Sequence, residues 1–247
     1  MDIAIQATTG EIPAYVALPS SGRPEPGVVL IHDVFGMTQD LRNQADWLAA
    51  QGFVAVAPDL FHDRTKMAAV RGVHRDVTAR EGRTFDEVEA VRGWLASRTE
   101  CAGAVGVVGF CMGGGLALML AVGRGFEASA VNYGSAPRSA YDPDFLAGGC
   151  PIVASYGARD RSLRGAAGRL ERALAAAGVS HDVKEYPDAG HGFLNDHEGA
   201  HDRLPALFSV TARFMAYGYH EPSALDARRR IISFFDAHLN AGRAPVP

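Results

Sequence analysis

Nothing in this 247-residue chain approaches the roughly 18 consecutive apolar residues of a membrane span, so no integral membrane protein is expected. Basic excess is missing too. Lys and Arg number 24 against 28 Asp and Glu, a net charge of −4, which argues against a nucleic-acid surface. Arg228–Arg230 form a short basic cluster and read as a solvated helix face. Cysteine is scarce: Cys101, Cys111 and Cys150 are odd in number, widely spaced and without a C-x-x-C pair. That excludes a disulfide framework or a zinc ribbon and fits a reduced, cytoplasmic protein. The opening stretch MDIAIQATTG has no basic or apolar leader pattern, so no signal peptide is expected. Repeats and low-complexity segments are also absent.

What is present is an alternation. Short apolar runs at 28–32, 53–58, 105–110, 129–133, 152–157 and 182–187 follow an N-terminal hairpin centred on Gly10. The inner runs are almost continuously apolar, as strands covered on both faces must be. Helical spacing fills the gaps. Leu41, Ala45 and Leu48 recur up to Gly52; Thr84 and Glu87 suggest a capping box before Phe85, Val88, Val91 and Leu95. Leu163, Ala167, Leu170 and Leu174 make a stripe closed by Gly178. A last helix is expected from near Ser223, with Leu225, Ile231, Ile232, Phe235 and Leu239 inward. The pattern predicts one α/β domain over 1–247, a mainly parallel sheet with helices on both faces. Two longer connections, 61–83 and 195–222, stand out, the second holding a candidate helix (204–217) and a candidate lid. The tail AGRAPVP is expected to fray.

The stretch VVGFCMGGG (107–115) places Cys111 where a strand runs into an apolar helix. G-F-C-M-G fits the nucleophile elbow G-x-[nucleophile]-x-G, with cysteine in place of serine. A sharp strand-to-helix turn strains its central residue and leaves room only for small neighbours, here Gly109 and Gly113. The helix N-terminus favours a thiolate, and the Met112 N–H would face a developing oxyanion. On the pentapeptide alone, an inert cysteine at a tight junction explains the residues equally well. A nucleophile needs a base and the base an acid. Among nine histidines, His191 follows a strand between two glycines, with His32 as its rival. His62, His74, His181, His197, His201, His220 and His238 read as solvated. Asp160 lies just beyond the 152–157 strand, with Asp188 as the alternative acid. The order Cys111, Asp160, His191 is that of the α/β-hydrolases.

Four stretches, HDVFGM (32–37), GFCMGG (109–114), YGARD (156–160) and AGHGF (189–193), resemble the dienelactone hydrolase family of cysteine α/β-hydrolases, across roughly residues 10–241. The resemblance implies the α/β-hydrolase fold, a Cys111–His191–Asp160 triad, and an oxyanion hole from the Met112 and Val34 amides. It places Asp33 where relatives carry a glutamate that contacts the resting thiol. It places Asn195 where enzymes that cleave dienelactone carry a substrate-binding arginine. Asparagine cannot replace that charged fork, so dienelactone itself is not the expected substrate. Arg71, Arg75 and Arg80 are alternative anchors, and Phe35, Phe61, Tyr133 and Phe193 are candidates to line an apolar mouth. The expected activity is hydrolysis of a small lactone or carboxylic ester through a thioester, with neither metal nor cofactor. Two rival readings stay open: a redox-sensing thiol and a non-catalytic binding module on the same fold.

Overall fold

A computed structural model describes residues 1–200, 202 and 209–240. Its centre is an eight-stranded sheet in the order β1-β2-β4-β3-β5-β6-β7-β8. The strands are β1 (Asp2–Ala7), β2 (Gly10–Ala17), β3 (Glu25–Ile31), β4 (Val54–Pro58), β5 (Cys101–Phe110), β6 (Ala128–Asn132), β7 (Ile152–Gly157) and β8 (His181–Tyr186). Only the β1–β2 and β2–β4 pairings are antiparallel. The remaining strands run parallel, so their carboxyl ends share one edge. Every residue of β3, β4, β6 and β7 is buried, which explains runs with no polar alternation.

The helices are α1 (Gln39–Ala50), α2 (Lys66–Ala79), α3 (Arg83–Ala96), α4 (Met112–Leu120), α5 (Pro143–Leu146), α6 (Ala166–Ala177), α7 (Ser209–Phe214) and α8 (Glu221–Leu239). Helices α1 and α8 share one face of the sheet, bridged by Arg228, whose guanidinium stacks on Trp47 and reaches the Gln44 side chain. Helices α3, α4 and α6 pack on the opposite face. In β7, Ser155 turns toward Arg230 of α8, whereas the next residue, Tyr156, turns toward Tyr141 near α5. Crossovers leave β3 toward β4 on one side and β5 toward β6 on the other. The carboxyl ends of β3 and β5 therefore flank a topological switch point, where open α/β sheets place their ligands.

Several expectations need correction. The 61–83 connection is mostly helix α2. The Thr84–Glu87 capping box does not form. Gly82 is the N-cap of α3, and the buried Asp76 carboxylate takes both the backbone and the hydroxyl of Thr84, at 3.0 and 2.7 Å. Leu163 belongs to a separate 3-10 turn, Arg161–Leu163, not to α6. Helix α8 starts at Glu221, and Leu225 faces outward. The Arg228–Arg230 cluster is not a solvated face. Arg230 is bound to Asp182, Ser155 and the Tyr186 hydroxyl, and only Arg229 is largely exposed, where it pairs with Asp226. Of the candidate 204–217 helix, Ser209–Phe214 is α7; its start and the 241–247 tail lie outside the described residues.

Helix α4 crosses the sheet edge through backbone contact rather than side-chain packing. A Cβ on Gly109 would lie 2.0 Å from the Gly113 carbonyl oxygen, and one on Gly113 would lie 2.3 Å from that of Ile31. Gly93, in exposed α3, has nothing within 4 Å of its Cβ position. Thermal unfolding should separate the two cases. Gly109→Ala is expected to lose about 2–4 kcal/mol or fail to fold. Gly93→Ala is expected to gain about 0.5–1 kcal/mol from helix propensity.

Candidate active site

Four strand ends deliver the side chains of interest to one edge: β3 leads to Asp33 and Val34, β5 to Cys111, β7 to Asp160 and β8 to His191. Cys111 has φ 55° and ψ −113°, a strained backbone for a residue with a Cβ. Its N–H donates to Asn132 O at 3.1 Å, and its own carbonyl accepts from Gly115 N, the first turn of α4. Those two bonds hold the strained residue in place. The side chain is half-buried and heads a helix whose remaining residues after Met112 are all buried.

His191 sits in a loop gripped from outside. Its N–H donates to Met215 O and its carbonyl accepts from Gly218 N, at 3.0 and 3.1 Å. The flanking glycines are required by this grip, since Cβ atoms on Gly190 and Gly192 would strike Ala216 O and the Tyr217 ring. Thus the described end of the 195–222 segment, Met215–Gly218, braces the histidine loop. Residues 201 and 203–208 of the candidate lid lie outside the described residues.

The His191 ring carries Nδ1 at 2.6 Å from Asp160 Oδ2. The other Asp160 oxygen accepts from the Ser162 amide and hydroxyl, at 2.9 and 2.6 Å. Burial opposes the ionised Asp160 carboxyl, yet the bonds from His191 and Ser162 hold it below the ordinary aspartate value. Burial likewise opposes a charged His191 ring. The negative charges of Cys111 and Asp160 outweigh it and push His191 up to about 10. Nε2 makes no hydrogen bond of good geometry to a protein group, and Cys111 is the charge that acts on the ring most strongly. The structure therefore brings Cys111, His191 and Asp160 together. The Met112 and Val34 amides, both on half-buried residues, donate to no protein acceptor among the described residues.

The rivals fall away. His32 uses both ring nitrogens inside the core, Nδ1 on Asp33 O and Nε2 accepting from Leu60 N, and packs edge-on against Phe61. His191 Nδ1 takes Asp160, and Asp188 makes no hydrogen bond to His191 among the described residues. Asp33 is occupied elsewhere. Its Oδ1 accepts from Phe35 N at 2.7 Å, and its Oδ2 pairs with His197 Nε2 at 3.1 Å.

His197 was expected in solvent and is instead 3% exposed. Its ring lies between two carboxylates: Asp33 on Nε2 and Asp202 on Nδ1. Asp202 in turn accepts the Gln39 and Asp40 amides at the start of α1. Burial opposes the charge on His197, but Asp33 and then Asp202 raise it to about 9. Nothing local in the sequence marks this residue, because Asp33 is 164 positions away.

The expected lining residues divide. Phe35 is half-buried beside the His197 and Tyr217 rings. Phe61 and Phe193 are core packing, Phe193 lying between the Tyr133 and Tyr186 rings. Tyr133 is fully buried, 5.1 Å from the His191 ring, and its hydroxyl donates to Asn195. Asn195 passes its amide to Asp40, so it is a satisfied internal link and not a free substrate anchor. Arg71 and Arg75 contact Met67 and Asp76 beside them, and Arg80 reaches Ser139 O. None of the three touches Cys111, His191 or Asp160.

Comparison with known proteins identifies the family. The sequence profile of the dienelactone hydrolase family matches residues 12–239. A protein of Azospirillum brasilense with the provisional name carboxymethylenebutenolidase is 29% identical, the match spanning 96% of this chain and 99% of that one. A carboxymethylenebutenolidase of Pseudomonas sp. (strain P51) is 32% identical over 135 residues, 50% of this chain and 55% of that one. Among solved structures, a dienelactone hydrolase-like promiscuous phosphotriesterase from metagenomic libraries superposes with a TM-score of 0.77. It is 19% identical, and the match covers 96% of this chain and 97% of that one.

The raised His197 value has a consequence for stability. A folded value near 9 against 6.5 for the free side chain means that its contribution is complete below pH 6.5 and is lost as pH rises through 9. His197→Asn should cost about 1–3 kcal/mol at pH 6 and flatten the decline of stability between pH 6.5 and 9. Denaturant titrations across that range check it, and an unchanged slope would show His197 neutral. His191 adds a decline of the same sign from pH 6.5 through about 10, which the variant retains, so the slope is reduced and not abolished.

Proposed function

This chain belongs to the dienelactone hydrolase family and is a lactone or carboxylic ester hydrolase, and we propose that it works through Cys111, His191 and Asp160 by way of a thioester. The observation that carries this reading is Cys111 itself: a positive-φ cysteine at the head of a buried helix, facing an imidazole that Asp160 holds at 2.6 Å. A half-buried thiol with no task would not need that backbone strain.

The resting pair is thiolate and imidazolium. The thiolate attacks the ester carbonyl carbon, forming the S–C bond, and the oxyanion accepts the Met112 and Val34 amides. The C–O bond then breaks, and the departing alkoxide takes the proton from His191 Nε2. Water enters, gives that proton back to Nε2 as it attacks the thioester, and the S–C bond breaks to release the acid and the thiolate. Asp160 stays ionised throughout. Its task is to fix the ring so that Nε2 faces the sulfur.

A thiolate leaves more readily than an amine anion. The tetrahedral intermediate from an amide would therefore collapse back, which favours lactones and esters of good leaving groups as substrates. The substrate is a small molecule. Among the described residues no helix is long and apolar enough to cross a membrane.

A redox relay is the weaker reading. Cys101 begins β5 while Cys111 follows its end, about 30 Å apart along an extended strand. Burial raises Cys101 above the ordinary thiol and pushes Cys150 up to about 12, so neither is a ready resolving thiol.

Hydrolysis of p-nitrophenyl acetate and butyrate by the wild type should be lost to background in Cys111→Ala and fall at least about 100-fold in Asp160→Asn. Mass spectrometry of the quenched wild type should find one acyl group, on Cys111. Turnover that survives in Cys111→Ala would overturn the nucleophile.

A further inference from the structure

The two amides assigned to the oxyanion are held in different ways. Met112 opens α4, whose first turn is pressed onto the neighbouring strand ends. Val34 lies in the turn between β3 and α1, outside any helix or strand. Its direction depends on Asp33. One Asp33 oxygen accepts from Phe35 N at 2.7 Å and closes the turn around Val34; the other meets His197 Nε2 at 3.1 Å. The Phe35 ring packs edge-on against the His197 and Tyr217 rings. His32 fixes the entry to the turn through the Asp33 carbonyl, and Lys66 reaches Phe35 O at 2.8 Å from an exposed position. The buried partner of the Asp33 carboxylate is His197.

That ring makes a demand of its own. Asp33 lies on Nε2 and Asp202 on Nδ1, both at 3.1 Å. A neutral imidazole has one N–H and serves only one of two carboxylates, whereas the imidazolium donates to both. Asp202 in turn accepts the Gln39 and Asp40 amides at the start of α1, at 3.0 and 3.1 Å. A proton on His197 therefore closes a continuous link from the Val34 turn to the end of a helix. The ring is buried, yet it lines a cavity of about 310 Å³ with Asp196, Glu198, Tyr217 and Tyr219, which gives that proton a route to solvent. The acids acting on it come from three elements: Asp33 after β3, Asp202 in its own segment and Asp40 on α1. Tyr217 stacks on it, and the same tyrosine ring lies 6.2 Å from that of His191. Burial opposes the charge, and the acids outweigh it, so His197 titrates at about 9.

We propose that His197 is a positioning residue for the oxyanion: as an imidazolium it holds Asp33, and through Asp33 it aims the Val34 amide at the carbonyl under attack. This rests on the hydrolase reading above for the reaction, but not for the link between ring and turn. Among the described residues His197 makes no hydrogen bond to Cys111, His191 or Asp160. Its loss should therefore spare the thiolate and weaken only the stabilisation of the tetrahedral intermediate.

Two reagents separate these effects. Iodoacetamide alkylates a thiolate without forming an oxyanion, whereas p-nitrophenyl acetate acylates it through one. His197→Gln should slow acylation by about 10–100-fold, with the loss in kcat and not in KM, and change alkylation of Cys111 by less than about threefold. In the wild type the ratio of acylation to alkylation should fall as pH rises through about 9, and in the variant it should be low and flat. Titration of the thiolate cancels in that ratio, because both reactions need it. Asp202→Asn removes only the outer charge; it should lose part of the ratio, and it carries the test if His197→Gln does not fold. Equal loss of both rates would mark a merely structural role and overturn the proposal. So would a ratio that neither variant changes.

A wild type that cleaves no ester would count against the hydrolase mechanism instead. The link is then judged by hydrogen exchange of the Phe35 amide, which rests on Asp33. Exchange at least about tenfold faster in His197→Gln supports it, and exchange equal to the wild type overturns it.

Discussion

The backbone crossing between the end of β5 and the start of α4 is the constraint on which the site depends. Gly109, Gly113, Gly114 and Gly115 each leave no space for a Cβ, and the atoms in the way are carbonyls of neighbouring strands or of the helix itself. Helix α4 therefore presses its first turn onto the ends of β3 and β6. That closeness forces Cys111 into positive φ and sends its side chain out over the sheet edge. It also sets the loop at Val34 close to the same helix start, because Gly113 touches the Ile31 and His32 carbonyls that precede it.

Charge balance is the second organising feature. Asp33, Asp40 and Asp160 are all buried at this edge, joined by the half-buried Asp202. Burying so many carboxylates is costly unless each is paired or hydrogen-bonded. Asp160 has His191 and Ser162; Asp33 and Asp202 share His197 and cap backbone amides. Asp40 has only neutral donors, Asn195, Gln44 and the Asp196 amide, and burial accordingly raises its carboxyl above the ordinary value. The two imidazoles are thus structural cations as well as titrating groups.

What could be read from the sequence was whatever local backbone geometry and strand-end position encode. The elbow announces itself through Gly109, Cys111 and Gly113, and His191 through its flanking glycines. Gly178 ends α6 in the left-handed conformation that its position suggested. Features that depend on distant partners were not legible. Thr84 carries the signature of a cap, but Asp76 arrives first from the end of α2. The Arg228–Arg230 cluster looks solvated until β7 and β8 supply Ser155 and Asp182. His197 looks like any loop histidine until Asp33 and Asp202 close on it, and Asn195 looks like a pocket residue until Asp40 and Tyr133 claim both ends of its amide. In each case the deciding partner lies in another element, where no periodicity can point to it.

The substitution at position 33 gathers these strands. A shorter acid next to the β3 end reaches back to its own loop, and the bond from Phe35 N at 2.7 Å closes a tight turn around Val34. The other oxygen pairs with His197 Nε2, so each carboxylate oxygen has a partner in its own loop or in the segment after β8. Asp33 instead shapes the loop at Val34 and holds His197, whose other partner, Asp202, accepts the first amides of α1. In the proposed mechanism Cys111 is then activated by the helix N-terminus and by His191, whose raised value comes, against burial, first from Cys111 and then from Asp160. In the proposed mechanism the two acids divide the labour: Asp160 orients the His191 ring, and Asp33 shapes the loop at Val34.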